Sequence, residues 1–189
     1  MDFSEDIEKA LQTLEAGGTI LYPTDTVWGL GCDATNTKAV EKIFLIKSRT
    51  EAKSLIVLID HIDKLNTYIE KVPDITADLL ASLTNPVTII YSNARRLSPK
   101  VVANDGTIAI RIVKDDFCSE LISRFGKPIV STSANISGYD PPAVFSQIAP
   151  ELRANVDYIV SYKQDYFTRT KPSTIIRLSD DGMYTIIRG

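Results

Sequence analysis

The run Thr19-Ile20-Leu21-Tyr22-Pro23-Thr24-Asp25-Thr26-Val27-Trp28-Gly29-Leu30-Gly31 decides what kind of sheet this chain builds. Its first four residues are β-branched, apolar or aromatic. They follow the glycine pair Gly17-Gly18 and stop at Pro23, which has no N–H to give a strand ladder. They predict a short buried strand. Thr24, Asp25 and Thr26 then place two hydroxyls and a carboxylate at its carboxyl end, where open α/β sheets tend to bind ligands. A loop whose Thr and Asp satisfy their own backbone is the other reading, and spacing leaves both open.

Upstream, Ile7, Leu11 and Leu14 recur at helical spacing, with Asp2 and Glu5 at capping-box spacing, so a helix of roughly residues 4–16 precedes the strand. Downstream, a polar loop runs to about Asn36. Asn36 or Thr37 then caps a helix whose apolar stripe is Val40, Ile43 and Phe44 and which ends near Lys47-Ser48-Arg49. The continuous apolar run Leu55 to Ile59 predicts a central strand. Ile62 to Ile69 and Ile75 to Leu83 read as helices, Val87 to Tyr91 and Thr107 to Val113 as strands. Phe117, Leu121 and Phe125 mark another helix, stopped by Gly126 with Pro128 beyond. Ile129-Val130 is a short strand. Tyr158 to Ser161, Thr174 to Leu178 and Met183 to Ile187 read as closing strands, the last two joined at Asp181-Gly182.

Strands and helices alternate early and strands cluster late. That predicts an α/β fold with a single-domain mixed β-sheet flanked by helices, not a purely parallel one. The Tyr139-Asp140-Pro141-Pro142 stretch reads as a loop inside one domain of residues 1–189.

Composition narrows the chemistry. The chain has 189 residues, 44% hydrophobic and 24% charged, enough to bury one core. The acidic opening Met1 to Asp6 lacks a signal pattern, and the longest apolar runs are about five residues where ~20 span a bilayer, so a cytoplasmic location without membrane insertion is expected. Two cysteines, Cys32 and Cys118, and one histidine, His61, build neither a disulfide framework nor a zinc cluster, and no protein metal site is expected. The net charge of −3 argues against non-specific nucleic-acid binding; Arg95-Arg96 and Lys163 to Lys171 are the modest basic stretches.

Three motifs bear on function. Gly29-Leu30-Gly31-Cys32-Asp33-Ala34 formally matches G-x-G-x-x-A, but Pro23 breaks the strand ahead of it and helix signals start only after Ala34, so the glycines read as a tight turn or a close approach. Lys47-x-Arg49 with Lys53 sets three cations at a helix end, which is a solvated, dipole-favoured terminus or a polyphosphate clamp. Ser131-Thr132-Ser133-Ala134-Asn135, followed by Ser137-Gly138, can offer hydroxyls and backbone N–H groups to an anion. No general base lies near in sequence, so these hydroxyls read as binders.

Together these strings resemble the YrdC-like family of threonylcarbamoyladenylate synthases. The family's glycine pair, apolar strand and Y-P-T-[DE]-T-x-[GY]-G-L-G run correspond to Gly17-Gly18 through Gly31, with Trp28 where tyrosine is common. K-x-R is Lys47-Ser48-Arg49, and K-P-L is Lys53-Ser54-Leu55 with serine for proline. P-x-T is Pro86-Val87-Thr88, the strand ending in arginine is Thr107 to Arg111, and S-x-A-N-x-S-G falls within Ser131 to Gly138. S-T-I is Ser173-Thr174-Ile175, and the terminal I-x-R-G is Ile186-Ile187-Arg188-Gly189. The resemblance covers nearly the whole chain.

It implies a YrdC-like fold, a twisted mixed sheet with a concave basic face, and it implies roles. Thr26, Arg111, Ser131 and Ser173 would bind L-threonine. Arg49, Lys53, Thr107, Ser133 and Arg188 would contact ATP, and Lys47, Arg49 and Asn135 would be catalytic. Leu58 stands where some relatives have histidine. The implied reaction is carboxylation of the threonine amine by bicarbonate, then attack on the α-phosphorus of ATP, with Mg2+ on the triphosphate. The product would feed a tRNA-modifying transferase complex. Two other readings stay open: an RNA-binding (tRNA or double-stranded RNA) or ribosome-associated factor without synthase activity, and a sister enzyme of the same fold.

Overall fold

The computed structural model describes residues 2–48, 55–166 and 172–189. Among these the helices are α1 Ser4–Glu15, α2 Thr37–Ile46, α3 Leu65–Tyr68, α4 Thr76–Ser82, α5 Asp116–Phe125 and α6 Pro150–Ala154. The strands are β1 Ile20–Tyr22, β2 Gly29–Gly31, β3 Ile56–Ile59, β4 Val87–Tyr91, β5 Ile108–Ile112, β6 Ile129–Ser133, β7 Tyr158–Ile159, β8 Thr174–Leu178 and β9 Tyr184–Arg188. They form one sheet in the order β7-β1-β2-β6-β3-β5-β4-β8-β9. The β1–β7, β3–β5 and β4–β8 pairs are parallel and the others antiparallel, which is the mixed sheet expected from the order of elements. The run Leu55 to Ile59 supplies β3, the middle strand.

Alternation along the strands sorts side chains to two faces. Val57, Ile59, Ile89, Tyr91, Ile108, Ile110 and Val130 bury against Val40, Ile43 and Phe44 of α2, Leu65 and Tyr68 of α3, and Leu79 of α4. The opposite face is divided along its length. Leu58, Val113 and Ile129 pack against Ile7, Leu11 and Leu14 of α1 and Phe117, Leu121 and Ile122 of α5. Further along the same strands, Ile56, Ala109, Arg111, Ser131, Ser133 and Ile90 line an open cleft instead. One set of strands thus serves as a core at one end and a binding floor at the other.

Helix boundaries follow the local chemistry. Asn36 caps α2, its carboxamide oxygen accepting from the Lys38 and Ala39 N–H groups at 3.1 and 3.2 Å. Asp115 caps α5 through Cys118 N–H, and Gly126 ends that helix at φ +71°. The capping box expected at α1 does not form. The Asp2 carboxylate accepts from Ser4 N–H at 2.9 Å, while Glu5 pairs with Lys9 one turn on. Strand β2, read from sequence as loop, is the main departure. Gly-Leu-Gly has little strand propensity, but β1 and β6 flank it, and a Cβ on Gly31 would overlap the Val130 carbonyl oxygen and lie 2.7 Å from the Tyr22 ring. The glycines of the G-x-G string therefore serve close strand approach, not a dinucleotide turn.

Candidate active site

The cleft occupies about 400 Å³, within the range of small-molecule sites. It is lined by the post-β1 loop, the carboxyl end of β6, the floor strands β3, β5 and β4, and the edge pair β8–β9. Arg111 projects from β5 and is 3% exposed. Its Nη1 donates to Thr26 Oγ1 at 2.9 Å, and its Nη2 lies 3.2 Å from Asp25 Oδ1. Among the described residues its Nε–H has no hydrogen-bond partner, nor has either Asp25 oxygen, so the ion pair is close without being aligned for hydrogen bonding. A buried N–H left unmade is costly and marks where a ligand acceptor gains most.

The threonine hydroxyls form an ordered relay. Thr24 donates to the Val27 carbonyl at 2.8 Å, which can only accept. The 3.0 Å contact between the two hydroxyls therefore runs from Thr26 O–H to Thr24 Oγ1. Thr24 also accepts from Thr26 N–H, so the loop satisfies its own backbone as well as presenting Thr26 to the cleft.

On the far side, Ser173 Oγ sits 2.8 Å from Thr88 Oγ1, and the Ser173 carbonyl accepts Arg188 Nε and Nη2 at 3.3 and 2.8 Å. Burial, and then repulsion from Arg111, lower the Arg188 pKa, yet a guanidinium stays protonated in water at any physiological pH. Two guanidiniums therefore face one cleft. Burial pushes the Asp25 pKa up while Arg111 pulls it down. Cys118 and Tyr22 lie in the same buried group, and burial raises both above their usual ranges; Cys32 is raised likewise. Neither thiol is therefore an activated nucleophile.

Thr26, Arg111, Ser131 and Ser173, singled out as one set, converge on this cleft, as do Ser133 and Arg188. Lys47 and Asn135 do not line it. Lys47 is 2% exposed, and its ammonium donates to the Ser133 carbonyl and, at 2.7 Å, to the Asn135 carbonyl. The Asn135 amide donates to the Ile136 and Tyr139 carbonyls. Together they pin the turn after β6 to the end of α2, so the solvated-terminus reading of Lys47 is replaced by a buried one. Lys47→Met, of similar length but without donors, is expected to cost about 1–3 kcal/mol of stability, since two carbonyls lose their partner. Denaturant midpoints check this, and an unchanged midpoint refutes the bracing role.

Thr107 is also elsewhere. Its hydroxyl is held by Asp105 at 2.6 Å, and it lines a neighbouring hollow with Ser92, Arg177 and Asp180 that meets the cleft only at Ile90. Arg49, Lys53 and Ser54 lie outside the described residues. Leu58, at the position of a histidine in some relatives, is fully buried against the α1–α5 cluster, and Trp28 packs on Phe145 at 5.1 Å rather than facing the cleft. Among the described residues no group of three or more His, Cys, Asp or Glu could hold a metal, and the carboxylate behind Arg111 is already paired.

The described structure is thus a mixed α/β sheet whose cleft is lined by hydroxyls and two guanidiniums. The chain belongs to the Sua5/YciO/YrdC family: the Sua5_yciO_yrdC family model, described as "Telomere recombination", matches residues 12–189. The threonylcarbamoyl-AMP synthase of Pseudoalteromonas translucida (strain TAC 125) is 35% identical over 178 residues, 93% of this chain and 94% of the relative. The crystal structure of P. abyssi Sua5 complexed with L-threonine superposes with TM-score 0.84 at 26% identity, covering 92% of this chain. This chain spans about half, 51%, of that Sua5 chain. E. coli YciO shares the fold at TM-score 0.83 and 24% identity, over 97% of this chain and 88% of that one.

Proposed function

We propose that the chain is a threonylcarbamoyl-AMP synthase, forming threonylcarbamoyl-AMP and pyrophosphate from L-threonine, bicarbonate and ATP, with residues 1–189 acting as one YrdC-like domain. The observation that carries this reading is the buried Nε–H of Arg111, unpartnered among the described residues, beside Thr26 and within one cleft with Ser131 and Ser173. A guanidinium edge with a free N–H suits a carboxylate, and the neighbouring hydroxyls suit the ammonium and side-chain hydroxyl of an amino acid. The 94% span of a synthase relative supports the same reading.

In this reading the threonine amine forms a bond to the bicarbonate carbon while the C–OH bond of bicarbonate breaks, the hydroxyl leaving as water with the proton the amine gives up, yielding N-carboxythreonine. A carboxylate oxygen of that intermediate attacks the α-phosphorus of ATP, and the bond to the β-phosphate bridging oxygen breaks as pyrophosphate leaves. Arg111, Thr26, Ser131 and Ser173 orient the amino acid. Ser133 and Arg188 face the phosphates, with Arg49 and Lys53 as further ATP contacts, while Thr107, in the neighbouring hollow, could be reached only by a part of ATP extending past Ile90. Lys47 and Asn135 hold the turn that presents Ser133. The protein supplies position and charge, not a covalent nucleophile. Mg2+ would ride on the triphosphate, and no step here is routed through it.

The product is a mixed anhydride that needs an acceptor, so a transferase acting on tRNA would consume it, in the cytoplasm. The RNA-binding reading gains no specific support: the cleft has small-molecule dimensions, and Arg95 donates to the Asn66 carbonyl.

The test is pyrophosphate release from ATP, bicarbonate and Mg2+ with either L-threonine or L-serine. Release that requires bicarbonate and prefers threonine is expected. Folded protein that binds ATP but releases no pyrophosphate with either amino acid would overturn the reading.

A further inference from the structure

The two guanidiniums of the cleft are not equivalent. Arg188 donates to a neutral carbonyl, that of Ser173, and no carboxylate pairs with it among the described residues. Arg111 stands 3.2 Å from a carboxylate, Asp25, whose side chain is 10% exposed and which is not among the cleft-lining residues. A guanidinium beside a buried carboxylate keeps its directional N–H groups, while much of its field is cancelled at short range.

We propose that Asp25 is a specificity-determining residue: by offsetting the charge of Arg111 from behind, it fits that end of the cleft to a zwitterionic amino acid and turns away inorganic oxyanions. This rests on the reading that Arg111 receives the threonine carboxylate.

The need for such a device follows from the lining. Two guanidiniums among the hydroxyls of Thr26, Ser131, Ser133 and Ser173 would otherwise suit phosphate anywhere along the cleft. Attraction grows with ligand charge, so an uncompensated Arg111 favours a dianion over a zwitterion, whose ammonium it repels. Pyrophosphate, released in the same cleft, would then occupy the amino-acid end. With Asp25 ionised, Arg188 keeps the stronger pull on phosphate and Arg111 is left to the amino acid.

The groups that face Asp25 are the Arg111 guanidinium, the Asp115 carboxylate at the start of α5 and the main-chain N–H of Lys114; the Cys118 thiol is also near and stays neutral. Burial, with Asp115 adding and Arg111 opposing, holds Asp25 above the usual carboxylate range. Acidification therefore neutralises it earlier than an exposed carboxylate.

The experiment is calorimetric titration of L-threonine into wild type and Asp25→Asn, with sodium sulfate or ionic-strength-matched sodium chloride, at about pH 7.5 and about pH 5. Sulfate and zwitterionic threonine both keep their charge across this range. In the wild type at the higher pH, sulfate should barely change the threonine Kd. In D25N it should raise the apparent Kd at least about tenfold at both pH values. A merely structural Asp25 would lower Tm without this sulfate-specific shift. A sulfate effect in D25N equal to that of the wild type overturns the inference. Should D25N not fold, the same sulfate comparison with Asp25→Ser decides, and an effect there equal to that of the wild type overturns the inference. A wild type that binds no threonine at all removes the underlying reading and this inference with it, whereas threonine binding with indistinguishable sulfate effects removes the inference alone.

Discussion

Arg111→Ala is expected to cut threonine-dependent pyrophosphate release by roughly 30-fold or more and to lower stability by about 3–5 kcal/mol. The two effects have separate causes. Removing the guanidinium leaves Asp25 as a buried carboxylate with no counter-charge, and also strips a donor from Thr26 Oγ1. Binding suffers because the ligand carboxylate loses its charge-assisted partner, at about 2–5 kcal/mol, or roughly 30-fold to several thousand-fold in kcat/KM for threonine. The double variant Arg111→Leu with Asp25→Asn separates them. Replacing a buried pair by groups of similar volume is often neutral, so most of the stability should return while turnover stays lost. Urea unfolding and a pyrophosphate assay on the same preparations decide the matter. Retained turnover in R111A would remove Arg111 from the binding site.

Gly31→Ala is expected to destabilise the fold by about 3 kcal/mol although it adds a single methyl group. The methyl would meet main chain, the Val130 carbonyl oxygen, on one side and the Tyr22 ring at 2.7 Å on the other. A carbonyl set between two paired strands cannot swing aside as a side-chain tip can. Strand β2 must therefore withdraw from β6, weakening the bond from Val130 N–H to the Cys32 carbonyl at 2.8 Å and displacing the Ser131–Ser133 strand end. Turnover should fall with stability, while the denaturant m-value stays constant because the exposed area hardly changes. Gly29→Ala offers the contrast. Its methyl would meet only side chains, Ser131 Oγ, Thr24 and Tyr22, all at 3.2 Å, so the cost should be smaller and concentrated on ligand binding. Equal midpoints for G31A and wild type would refute the tight β2–β6 approach.

What sequence made legible was whatever local chemistry determines. Apolar runs and their stops located the other eight strands, and Asn36 and Gly126 marked helix ends they do terminate. Strand β2 was hidden because its two glycines signal a turn locally, and only the tertiary approach of β6 turns that signal into a strand requirement. Helix α6 has five residues, too few for a helical period to register. In the site, Thr26, Arg111, Ser131 and Ser173 were grouped only through the family resemblance, since they are far apart in the chain and only the sheet order gathers them into one cleft. Lys47 could have been read as buried, because Val40, Ile43, Phe44 and Lys47 continue one helical stripe. Asp25 was noted as a carboxylate in a loop, yet no sequence signal says that an arginine 86 positions later turns toward it.

The sheet order has one further consequence. Arg111 stands on β5, held between β3 and β4 in the middle of the sheet, whereas Arg188 stands on β9, an outermost strand resting on β8 alone and exposed along its whole length. Strands in the middle of a sheet open only with the whole fold, and those at a margin fray at far smaller free energy. A ligand bound as proposed, with its carboxylate on Arg111 and its phosphates on Arg188, would thus have a rigid anchor at the first and a yielding one at the second. Unbinding would start at the yielding end, so the leaving group would be let go first while the rest of the ligand is still held.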